Sequence, residues 1–184
     1  MARYLALLRG INVGGHNKVA MKELRDVAVA LGHTDVATYI QSGNMVFTSA
    51  ESDATGLADG LEREITARLG VRPVVVVLSE PELAHVIADN PFPGELNPKC
   101  LHAVFRRDEI GKTDIEVVAA AVQRARASGS RDDAAVVGRT LFLRTPDGLG
   151  RSELAAQLAR SNVQTSGTAR NWATVTRLKA MLGE

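Results

Sequence analysis

The amino-acid sequence predicts an α+β fold of two packed split β-α-β subdomains, the second incomplete and carrying an added C-terminal helix. Three observations lead there. The order strand, helix, strand, strand, helix, strand reads through residues 1–78 and starts again in residues 79–184. Strand runs such as Val74-Val75-Val76-Val77 are apolar on both sides of the pleat, so both faces of a sheet need covering. The 184 residues are 45% hydrophobic and 23% charged, which suits a globular chain able to bury a sizeable core. The two subdomains are expected to pack as one unit.

Tyr4 to Leu8 is a short apolar run bounded by Arg3 and Arg9, the signature of a buried strand. A glycine-rich loop follows. From Lys18 to Leu31, Met21, Leu24, Val27, Ala28 and Leu31 recur at three and four, the spacing of an amphipathic helix that Gly32 stops. Val36–Ile40 and Met45–Thr48 are β-type runs around Gln41-Ser42-Gly43-Asn44, whose Gly and Asn tolerate the positive φ of a hairpin. Leu57, Leu61, Ile65 and Leu69 mark a second helix ending at Gly70, and Pro73–Leu78 a further strand. Ser79-Glu80-Pro81-Glu82 has capping-box form and opens a short helix that the proline-rich stretch 90–98 ends. The second copy then reads as a strand at Leu101–Phe105, a helix from Thr113 with a Thr-x-x-Glu cap, a hairpin around Gly138-Arg139 and a helix at Ser152–Arg160. Its final strand is expected to be replaced by Asn162–Gly167 and a C-terminal helix opening at Thr168–Thr174.

Composition excludes several classes. With 22 basic and 21 acidic residues the net charge is +1, so no global field selects nucleic acid or an anionic membrane. Cys100 is the single cysteine, which excludes an internal disulfide, fits a reducing cytoplasm and leaves no zinc spacing. No apolar run approaches membrane-spanning length, and no signal-peptide pattern is present.

Topology brings polar residues together. In a split β-α-β unit the loop after the first strand and the hairpin after the second lie at one sheet end, so Arg9, Asn12, His16, Asn17 and Lys18 should share a rim with Gln41, Ser42 and Asn44. The loop Gly10–Lys18 joins strand to helix, where backbone N–H groups can hold a phosphate or carboxylate, and Gly14 and Gly15 permit close approach. Neither Walker A nor Gly-x-Gly-x-x-Gly is met, so no cofactor is expected. The competing structural reading is that the glycines shape a turn and that Asn12 or Asn17 caps the helix. A second polar stretch, Thr168 to Thr174, holds the only tryptophan, Trp172. Arg170 and the adjacent helix start can form a second anion site; alternatively Thr168 or Asn171 caps a helix whose Trp172, Val175, Leu178 and Leu182 face the core.

Catalytic constellations are sparse. Cys100 precedes a strand and reads as a small buried hydrophobe, and of the four histidines only His16 lies in the polar loop. Adjacent acids, Asp132 with Asp133 and Glu62 near Glu64, read as solvated faces, so no metal site is expected.

The strings ALLRGINVGGHNKVAM and TYIQSGNMVF, with GLGRSEL at 148–154 and TARNWATV from Thr168, resemble the bacterial family called domain of unknown function 1697 (DUF 1697), end to end. The resemblance implies a cytoplasmic α+β protein of ferredoxin-like subdomains and brings no activity or catalytic residue. Carried over by position, its polar signature falls on Arg9, Asn12, Asn17, Lys18, Gln41, Ser42, Asn44, Arg170 and Asn171. These readings favour binding of an anionic small molecule over catalysis. Nucleic acid is disfavoured, because the first strand offers only Tyr4 and the third only Phe47 as a stacking surface.

Overall fold

β1 (Ala2–Arg9) pairs antiparallel with β3 (Asn44–Ser49) on one side and with β4 (Val74–Ser79) on the other; β2 (Thr34–Tyr39) extends the sheet beyond β3. The order β2-β3-β1-β4 is that of the split β-α-β arrangement, seen here in a computed structural model that describes residues 1–183, with Gln164 and Thr165 described by their backbone alone. On one face Tyr4, Ala6, Leu8, Met45, Phe47, Val75 and Val77 form a single core. To it α1 (Met21–Ala30) adds Leu24, Val27 and Ala28, and α2 (Ala54–Leu69) adds Leu57, Leu61 and Ile65. The alternate residues Leu5, Leu7, Val46, Val76 and Leu78 are buried too, as their unbroken apolar runs predict. Ser79 and Glu82 cap α3 (Glu80–Ala88): Glu82 Oε2 accepts from Ser79 N at 2.7 Å.

The chain divides into two compact units, Met1–His85 joined by the segment from Arg177, and Val86–Thr176. The second unit contains β5 (Leu101–Phe105), α4 (Lys112–Ala127), β6 (Asp133–Val137) and β7 (Thr140–Arg144). After a 3-10 turn at Leu149–Arg151 come α5 (Glu153–Leu158), α6 (Asn162–Thr165), β8 (Thr168–Asn171) and the start of α7 (Trp172–Gly183). Its sheet order is β6-β7-β5-β8, and its core joins Val104, Leu141 and Leu143 to Val118 and Val122 of α4 and Leu154 and Leu158 of α5. The last turns of α7 are tied within the first unit, where Arg3 Nη2 donates to Met181 O at 2.9 Å and Lys179 pairs with Glu80 at 2.7 Å.

The α+β class with two βαβ-containing sheets and a C-terminal helix holds, and four details differ from expectation. The second sheet is complete: Thr168–Asn171 is a strand on β5, not the opening of a helix. Its alternation was masked because one inward residue is Arg170, and Gly167 lets it dock, since a Cβ there would meet Val104 Cγ1 at 2.7 Å and Phe105 O at 2.8 Å. The first helix begins at Met21 rather than Lys18, because Asn12 holds both backbone groups of Val19. Asn44 is the first residue of β3, and the positive φ falls on Ile40 (49°) and Gly43 (77°). The α4 cap is Gly111, which leaves Thr113 and Glu116 inside the helix.

Candidate functional site

The residues between β1 and α1 fold as a miniature hairpin. Asn12 N donates to Asn17 O at 3.0 Å and His16 N to Val13 O at 3.0 Å, with Gly14 (φ 57°) and Gly15 (φ 80°) between. Two consecutive positive φ angles are what a primed two-residue turn requires, so these glycines have a structural role. The asparagines fix the hairpin to its surroundings. Asn17 Nδ2 donates to Gly10 O at 2.7 Å. Asn12 accepts from Val19 N at 2.9 Å and donates Nδ2 both to Val19 O at 2.9 Å and to Gln41 O at 3.0 Å. One carboxamide thus joins loop, helix entry and the β2–β3 turn.

That turn is held as firmly. Leu8 N donates to Gly43 O at 2.8 Å, and a Cβ on Gly43 would lie 2.8 Å from Leu8 Cβ. Asn44 is fully buried, and its Nδ2 donates to Tyr39 O at 3.0 Å and Ser42 Oγ at 2.8 Å. Ile40, a β-branched residue in the left-handed region, is half exposed at the tip.

Between loop and turn lies a cleft of about 530 Å³. The loop contributes Asn12, Gly15 and Lys18, the helix start Val19, Ala20 and Glu23, and the turn Gln41. Glu23 Oε2 accepts from Ala20 N at 3.2 Å, one half of a capping box whose other half is missing because Ala20 has no side-chain acceptor. Lys18 and Arg9 are exposed, and neither side chain has a partner within the chain among the described residues. The topology therefore assembles the loop and turn residues at one sheet end, with Asn12, Asn17 and Asn44 engaged in holding the frame.

Arg170 and Asn171 belong to the other unit, on β8. Arg170 is buried, donating Nη1 to Thr168 Oγ1 at 2.8 Å and Ala169 O at 2.7 Å; burial pushes its guanidinium down to about 10. Asn171 Oδ1 accepts from Thr174 N at 2.8 Å and so caps α7, whose Trp172 N donates to Pro98 O at 3.2 Å. Cys100 is buried and its Sγ lies 3.7 Å from Pro146 O, in keeping with a packing role. At the corresponding rim of this unit, Arg106 pairs with Asp114 at 3.0 Å and Arg139 donates to Arg107 O at 3.2 Å.

Sequence reasoning named no site around a second cavity, about 280 Å³, in which Asp132, Asp147, Arg151 and Glu153 take part. Its signal was the string Gly148–Leu154: Gly148 turns at φ 98°, and Ser152 accepts from Ala155 N at 2.8 Å to start α5. No group of acids, histidines and cysteine that could hold a metal occurs among the described residues, and no helix there is long and apolar enough to cross a membrane.

The fold is similar to that of the conserved bacterial protein SP0830 from Streptococcus pneumoniae, with a TM-score of 0.75 and 26% identity over 98% of each chain. No curated protein matches. With both sheets, the loop hairpin and the quoted strings in view, the chain matches "Protein of unknown function (DUF1697)" over residues 1–142 and belongs to that family.

Proposed function

We propose that the protein binds a small molecule bearing a phosphate or carboxylate in the cleft between the β1–α1 loop and the β2–β3 turn. The observation that carries this reading is Lys18, a cation with no partner among the described residues, in the wall of a cleft of about 530 Å³ beside Gln41. That volume suits a small metabolite. The frame supports it: Asn12 spends its carboxamide on Val19 and Gln41, so the loop is ordered before any ligand arrives and the entropy cost of binding is reduced. A comparison of the two copies points the same way. Residues 106–111 suffice to join β5 to α4, whereas residues 10–20 join β1 to α1, and elaborated loops on a rigid scaffold are where binding residues concentrate.

Enzymatic use of the same rim has Lys18 and His16 as its reacting groups, since Cys100 is buried in the other unit. Nucleic-acid stacking on the sheet finds little support, because Tyr4 and Phe47 lie 4% and 0% exposed in the core. A thermal-shift screen against sugar phosphates, nucleotides and phosphorylated amines tests the binding reading. Ligand at a hundredfold excess over Kd adds about 2.7 kcal/mol of stability, a visible shift. Its loss in Lys18→Ala and weakening in Arg9→Ala are the expected result; a shift unchanged in both variants overturns the assignment.

A further inference from the structure

The cleft carries charge of both signs. Lys18 and Glu23 line it together, with Gln41 in the same wall. Glu23 gives Oε2 to Ala20 N at 3.2 Å, and its second oxygen has no partner among the described residues. A ligand that is only an anion meets attraction from Lys18 and repulsion from Glu23, whereas one that also carries an ammonium or amide N–H converts the second term to attraction. Resting on the binding reading above, we infer that the ligand is bifunctional: an anionic group against Lys18 and a cationic or N–H donor group against Glu23. A phosphorylated or carboxylated amine is the class that fits.

Isothermal titration of the whole protein with glycerol phosphate, phosphoethanolamine and ethanolamine separates the contributions. Phosphoethanolamine should bind about tenfold more tightly than glycerol phosphate, the gain of one charge-assisted contact. In Glu23→Gln that preference should disappear while the melting temperature stays level, because glutamine still accepts from Ala20 N and the cap survives. Lys18→Met should weaken both phosphates. Equal affinity for the two phosphates, lost in Lys18→Met and indifferent to Glu23→Gln, overturns the bifunctional ligand and leaves the anion site standing. Absence of any Lys18-dependent binding overturns both.

Discussion

Asn12 is the residue on which the candidate site depends most. Its φ of 52° places the carboxamide where it can serve two partners, and three hydrogen bonds occupy both its N–H donors and one lone pair of its oxygen. Asn12→Ala should cost about 1–3 kcal/mol, because the Val19 backbone groups lose their partners, and should raise amide exchange across residues 10–20. Lys18→Ala, on an exposed side chain, should leave stability unchanged while abolishing ligand binding; hydrogen exchange and titration on the two variants distinguish frame from contact. Gly43 answers to a stricter constraint. Its φ of 77° and the 2.8 Å approach to Leu8 Cβ mean that Gly43→Ala should cost about 2 kcal/mol or more, measured by urea unfolding.

At the level of elements, the starts of three helices are set by side chains close in sequence. Ser152 caps α5, Asn171 caps α7 and Ser79 with Glu82 caps α3, and Asn171→Ala should lower stability by about 1 kcal/mol, with Asn171→Asp restoring it. The Ser79–Glu82 cap was legible, and Asn171 was one of two candidates beside Thr168, because an oxygen acceptor just before an apolar period is a local signal; Ser152 was read only as the start of its helix. The loop hairpin was legible in part: Gly14 and Gly15 announced a turn, but its pairing of Asn12 with Asn17 depends on where β1 and α1 hold its ends. Strand β8 was hidden, because four residues of which one inward member is Arg170 do not display apolar alternation.

For the molecule as a whole, each unit has a histidine whose burial depresses its pKa. Burial lowers His33, 4.6 Å from the Phe47 ring centroid in the first unit, and likewise His102 on β5 in the second, from the ordinary 6.5. Both groups stay neutral in the folded chain at pH values where the unfolded chain already takes up protons, so the unfolded state binds more of them. Their contribution to stability is complete above about pH 6.5 and is lost as pH falls through the depressed folded values. Urea midpoints at pH 7.5 and pH 5 should therefore differ, and the difference should shrink in His33→Phe and again when His102→Leu is added. An undiminished difference in both variants would assign the pH dependence to other groups.

The sequence by itself determined the α+β class, the order of nearly every element and the sheet end where the polar loop and turn meet, because period, caps and turn residues act over a few positions. Tertiary structure decided what those polar residues do. Asn12, Asn17 and Asn44 look identical in the sequence to ligand-binding amides, and only the folded loop and turn, with Val19, Gly10 and Tyr39 as partners and Gln41 reached by Asn12 across the sheet end, commit them to the frame. Long-range pairing brought Gln41 to the cleft that Lys18 and Glu23 line and made Thr168–Asn171 a strand on β5, outcomes that depend on residues distant in the chain arriving within hydrogen-bond reach.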